Sequence, residues 1–137
     1  MKSQADLVKG WLLKAESDFA NVRMCLANNQ SLDTGCFHAQ QAAERFIKAY
    51  LTEQEIDFPL IHNLEKLIEL CATRDPSFQS TKTLGQELTP YAVALRYDSE
   101  FWPDLETTQQ ALETALKIKS FVLDKLPPET KEGVQLI

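Results

Sequence analysis

The stretch CFHAQQAAERFIKAYL, residues 36–51, decides the fold. It holds no Gly or Pro and is rich in helix formers. Wound at about 100° per residue, its small and apolar side chains Cys36, Ala39, Ala43, Phe46, Ile47 and Tyr50 collect on one arc. His38, Gln41, Arg45 and Lys48 fall on the opposite arc, with Gln40 and Glu44 at its edge. Ala39, Ala42, Ala43 and Ala49 let neighbouring helices approach closely, which places this helix at the centre of a bundle.

Other helices are expected on both sides of it. Upstream, Leu7, Trp11, Leu12, Ala15, Phe19, Val22 and Leu26 repeat at helical spacing and predict a helix over 4–27. Gly10 is a weak point in it, and Asn28-Asn29-Gln30 ends it. Ser31, Asp33 and Thr34 offer N-cap chemistry to the central helix, which runs on to about 54. Downstream, a short helix over 63–73 buries Leu64, Leu67, Ile68 and Cys71, with Asn63 as a candidate N-cap. Asp75-Pro76 marks a turn. A fourth helix is expected over 80–96, with Leu84, Leu88, Tyr91, Ala92 and Leu95 inward, and kinked or divided by Pro90. Residues 97–103 form an aromatic loop. Asp104 then caps a last helix over 105–125 that packs through Leu105, Leu112, Ala115, Leu116, Val122 and Leu123. Pro127-Pro128 stops it, and residues 127–137 are expected to be a mobile tail. The expected fold is thus all-α, an up-and-down bundle of four to five helices in a single domain spanning 1–137.

Bulk composition narrows the function. The 137 residues carry a net charge of −6, which argues against general duplex binding, since that needs a basic surface to displace counterions. The 3 Cys are too few for a disulfide scaffold and read as reduced thiols buried in helices. No run approaches the roughly 18 apolar residues of a membrane span, and residues 1–10 lack the apolar core of a signal peptide. A cytoplasmic location without membrane contact is expected. No Cys/His zinc pattern, Gly-rich phosphate loop or nucleophile elbow is present, so neither metal nor cofactor is expected.

Three polar groupings remain as site candidates. His38, Gln41, Arg45 and Lys48 suit phosphate or nucleobase groups, or else form a solvated face with pairs such as Glu44–Lys48. His62 reads as a general base or phosphate ligand, or else as a turn residue. Arg96 and Tyr97, with Asp98, Glu100 and Trp102, read as an anion clamp with stacking rings, or else as a helix cap with packing.

The segments WLLKAESDF, CFHAQQAAERFIKAYL, FPLIHNLEKLIELC and YAVALRYDSEFWP, taken in order, resemble the HEPN domain family from Trp11 to about Leu126. The resemblance implies a helical bundle like a nucleotidyltransferase substrate-binding subunit, a homodimer, and a link to nucleotides or RNA. It also implies, as partner, a minimal nucleotidyltransferase in a toxin–antitoxin-like pair. Many members are metal-independent ribonucleases whose motif is an Arg, a neighbouring polar residue and a His after four to six intervening residues. Arg96 matches the Arg, but Tyr97 follows it, and Phe101, Trp102 and Pro103 fill the His positions. None of these three transfers a proton at neutral pH. The expectation is a non-catalytic, dimeric module that binds a nucleotide or RNA, the minimal nucleotidyltransferase partner, or both, with His38, Gln41, Arg45, Lys48, His62, Arg96 and Tyr97 as candidates for nucleotide or anion binding. The alternatives are a ribonuclease toxin pairing Arg96 with Glu100 or His62, and a structural helical adaptor without a small ligand.

Overall fold

Every regular element among residues 2–131, the residues that the structure (a computed structural model) describes, is helical. α1 (Gln4–Asn28) starts at Ser3. The Ser3 hydroxyl accepts from the Asp6 amide at 3.1 Å, and the Asp6 carboxylate accepts from the Ser3 amide at 3.2 Å. This reciprocal capping box satisfies two otherwise orphaned donors. α1 ends at Asn29, whose left-handed backbone (φ 50) lets its amide reach Cys25 and Leu26 carbonyls.

α2 (Leu32–Glu53) begins almost at once. The expected side-chain cap from Ser31, Asp33 or Thr34 is not formed. Ser31 occupies the cap position, but its backbone is left-handed (φ 52) and its side chain makes no capping bond. A reversal this short uses backbone conformation instead, and the Gly35 amide already donates to the Ser31 carbonyl.

α3 (Leu64–Ala72) is capped by Asn63, whose side chain accepts from the Lys66 amide at 3.1 Å. A 3₁₀ segment, Pro76–Thr81, follows, and then α4 (Lys82–Leu88) and α5 (Tyr91–Tyr97). The helix expected over 80–96 is therefore two pieces divided at Pro90. Thr89 secures the break: its hydroxyl donates to the Gly85 carbonyl at 2.9 Å and accepts from the Leu64 amide at 3.1 Å. α6 (Leu105–Lys125) is capped by Asp104, which accepts from the Thr107 amide at 2.8 Å. The start of the expected tail is placed as a turn, α7 (Pro128–Lys131), that packs on α1. Thr130 is buried there, and Lys131 Nζ donates to the Leu123 carbonyl at 2.9 Å. Residues 132–137 of the expected tail lie outside the described residues.

α2 packs against α1, α3, α5 and α6. From Ala39 to Leu51 every residue but Arg45 is buried. The two-faced helix expected from periodicity is thus a core helix whose polar side is also covered. Close approach is literal at Gly35, where an added Cβ would lie 2.9 Å from Thr108 Cγ2 and 3.3 Å from Cys25 Cβ. Gly85 is likewise a contact between α4 and α3, since a Cβ there would meet Ile68 Cδ1 at 2.8 Å. Two expected core positions turn outward: Leu7 is 49% and Leu105 45% exposed. Both sit in a first turn, where one neighbour cannot cover a whole apolar arc. Val8, one residue on, takes the inward place.

Candidate functional site

The polar side of α2 is organised by two buried carboxylates. The first is Asp18 of α1, 2% exposed. Its Oδ1 lies 2.8 Å from His38 Nδ1, and its Oδ2 accepts from Arg45 Nη1 at 2.6 Å. A carboxylate paired with Arg is an acceptor only, so the proton of the short contact belongs to His38 Nδ1. That leaves Nε2 as the ring nitrogen that Asp18 does not hold. His38 and Arg45 keep 24% and 29% of their side chains exposed, so both present polar edges to solvent from a fixed base. The Phe37 and His38 rings meet at 78° with centres 5.4 Å apart, which further restricts the imidazole.

The second carboxylate is Glu44, 3% exposed. It takes Lys48 Nζ at 2.9 Å, His62 Nδ1 at 2.9 Å and Gln40 Nε2 at 3.2 Å. Gln40 also donates to the His62 carbonyl at 3.0 Å and accepts from Gln41 Nε2 at 2.7 Å. Lys48 is 6% exposed, and its ammonium sits 5.7 Å from the ring centres of both Trp11 and Phe58. Rings and carboxylate together replace the water it has lost. The result is a lock that holds the α2–α3 connection to the core through His62 and Phe58. Among its members, His62 is the one whose side chain is largely open to solvent, at 56% exposed.

The grouping of His38, Gln41, Arg45 and Lys48 is therefore divided. His38 and Arg45 meet at Asp18, Lys48 and His62 meet at Glu44, and Gln41 is buried against Gln40. Asp18 was missed, although its place was legible: it follows Trp11 by seven and Ala15 by three residues and precedes Val22 by four, on the apolar face.

Arg96 and Tyr97 end α5 on the surface. Tyr97 is 79% and Trp102 76% exposed, while Phe101 turns in against Tyr91 with ring centres 5.6 Å apart. Arg96 makes no ion pair among the described residues. Acids surround it in sequence, with Asp98, Glu100, Asp104 and Glu106 all exposed. Neither Glu100 nor His62 is bonded to Arg96 among the described residues. The Asp98 carboxylate accepts from the Glu100 amide at 3.0 Å, which closes a local turn.

The thiols are free, with Cys36 and Cys71 buried and Cys25 half-buried. Burial pushes the Cys71 thiol up to about 12 and raises Cys25 and Cys36 as well, the reverse of what a nucleophile needs. No group of His, Cys, Asp and Glu that could hold a metal occurs among the described residues. No helix among them is long and apolar enough to cross a membrane.

A family model described as the HEPN domain matches residues 8–126. Among solved structures, the crystal structure of TT1696 from Thermus thermophilus is similar, with a TM-score of 0.72 and 23% sequence identity. The match covers 87% of this chain and 98% of that one, a likeness of fold. Among curated proteins no match is found.

Proposed function

From the premise that this chain belongs to the HEPN domain family, we propose that it is a phosphate-binding HEPN module that does not use the family's ribonuclease chemistry. Membership supports a nucleotide- or RNA-related role at the coarse level. One observation carries the finer reading: buried Asp18 holds His38 and Arg45 side by side, each with part of its side chain in solvent. Arg45 spends one guanidinium nitrogen on Asp18 and keeps further donors for a ligand oxygen. Pre-paid orientation of this kind lowers the entropy cost of binding. Arg96, with the ring faces of Tyr97 and Trp102, is an auxiliary contact for a base and its phosphate. Its acidic neighbours weaken it as a primary anion site. Lys48 and His62 are held by Glu44, and Gln41 by Gln40, so they enter this reading as structural supports.

Calorimetry with AMP, ATP and a short single-stranded RNA tests this reading. Arg45→Ala should weaken binding by about tenfold or more, as expected for loss of a charge-assisted contact. Arg96→Ala should weaken it less. Helical circular dichroism should be retained in both, because Arg96 is exposed and Asp18 keeps its contact with His38 when Arg45 is removed. No binding by the wild type, or equal binding by Arg45→Ala, sinks the proposal.

The homodimer and the nucleotidyltransferase partner belong to this reading through the family alone. Light scattering tests the first. Co-purification with a neighbouring minimal nucleotidyltransferase tests the second.

A further inference from the structure

We infer that the site at Asp18, His38 and Arg45 takes its anion together with one proton, so that phosphate binding there is linked to protonation of His38. This rests on the phosphate-binding reading and adds the state of the ring that the ligand selects. Hydrogen-bond direction is the starting point. Asp18 is buried and accepts from Arg45 Nη1 at 2.6 Å, so the ring is also the donor in the 2.8 Å contact at His38 Nδ1. Nδ1 therefore keeps its proton whether the ring is neutral or charged. In the neutral ring Nε2 then carries a lone pair and no hydrogen. Nε2 makes no hydrogen bond among the described residues and is not one of their buried unpaired polar atoms, so solvent reaches it.

An unprotonated phosphate oxygen is an acceptor only and cannot bond to that lone pair. Protonation turns Nε2 into a donor and makes its bond to phosphate charge-assisted. The charge count agrees. Asp18 and Arg45 cancel, so with a neutral ring the site has no net charge to offer an anion, whereas the imidazolium adds one positive charge beside Arg45. Few other charges bear on the ring. Asp18 faces it from α1, and Arg45 lies two turns further along α2. Glu16 of α1 and Lys119 of α6 are turned to each other at 2.7 Å. No hydrogen bond or ion pair links His38 to α3, α5 or α6 among the described residues.

A short single-stranded RNA with hydroxyl ends tests the linkage, because its phosphodiesters carry no titratable proton near neutrality. The full chain is titrated at constant salt, since phosphate binding is salt-dependent. Wild-type affinity should fall by about tenfold or more between about pH 6 and about pH 9, a range in which imidazolium is lost. Calorimetry in buffers of different ionisation enthalpy should show net proton uptake towards the alkaline end. Imidazole NMR separates the 2 His of the chain, and His62 serves as the control because Glu44 holds it elsewhere. Saturating RNA should raise the titration midpoint of His38 and leave that of His62 in place. His38→Gln keeps an N–H donor that does not titrate, so its affinity should vary by less than about twofold over the same range. Where this variant fails to fold, the wild-type midpoints decide alone. Binding that Arg45→Ala weakens but that takes up no proton would mean that Nε2 accepts from a ligand N–H or O–H. That result overturns the linkage and leaves the phosphate site standing. A midpoint that moves at His62 and not at His38, or full pH dependence in His38→Gln, overturns the linkage as well. No binding at any pH removes the phosphate site and the linkage together.

Discussion

Glu44, 3% exposed, is the buried acceptor around which Gln40, Lys48 and His62 gather. Glu44→Ala would leave the Lys48 ammonium buried and unpaired, a loss of about 3–5 kcal/mol. The double change Glu44→Leu with Lys48→Met removes both charges together and should recover most of it. Urea unfolding of Glu44→Ala and of the double variant checks this; a double variant no more stable than Glu44→Ala would refute it. The glycines divide at the same scale. Gly10 has open space where a Cβ would go, so Gly10→Ala should stabilise by about 0.5–1 kcal/mol. Gly35→Ala would press on Thr108 and Cys25 and should cost about 1–3 kcal/mol. Thermal melts of both variants check the opposite signs.

Among the elements, two of the side-chain caps were legible. Asn63 and Asp104 stand one residue before an apolar repeat and do cap α3 and α6. The bonds from Thr107 hold the Asp104 carboxyl below the usual range. Since its folded value lies below its unfolded one, its stabilising effect is present above the ordinary carboxylate range near about pH 4 and is lost as pH falls through the folded value. Asp104→Ala should therefore be less stable than wild type at neutral pH, and the gap should close on acidification. A gap that stays constant down to the acid transition would contradict this. The start of α2 was not legible, because Ser31 caps by position in a left-handed turn, not through its side chain. The division of residues 80–96 was legible from Pro90, whereas the 3₁₀ segment Pro76–Thr81 was not. Its start does carry a signal: Asp75 precedes Pro76 and accepts from the Ser77 amide and hydroxyl at 3.0 and 2.6 Å.

At the scale of the whole molecule, α2 is shared by α1, α3, α5 and α6, so opening one interface weakens the others. The cysteines report on this cooperativity. Cys71 is fully buried with its thiol pushed up to about 12, and Cys36 is also buried, while Cys25 is half-buried. Under native conditions an alkylating reagent should modify Cys25 first and reach Cys71 only through global opening. Mass spectrometry after timed labelling checks this; early modification of Cys71 would mean that α3 detaches locally. The sequence by itself determined the all-helical class, the central place of residues 36–51 and the family, because helical spacing and breakers are local properties of a chain. It also located the departure at Arg96, where Phe101, Trp102 and Pro103 take the places of a proton carrier. What the tertiary structure alone decided is how the polar residues are shared. His38, Arg45, Lys48 and His62 are assigned to Asp18 or Glu44 by contacts across 18 to 27 positions of chain, apart from the local Glu44–Lys48 pair. The bond from Thr114 to Glu87 joins α6 to α4 in the same way, 27 positions apart. Periodicity gives the side of a helix on which a residue lies; what covers that side depends on packing between distant segments.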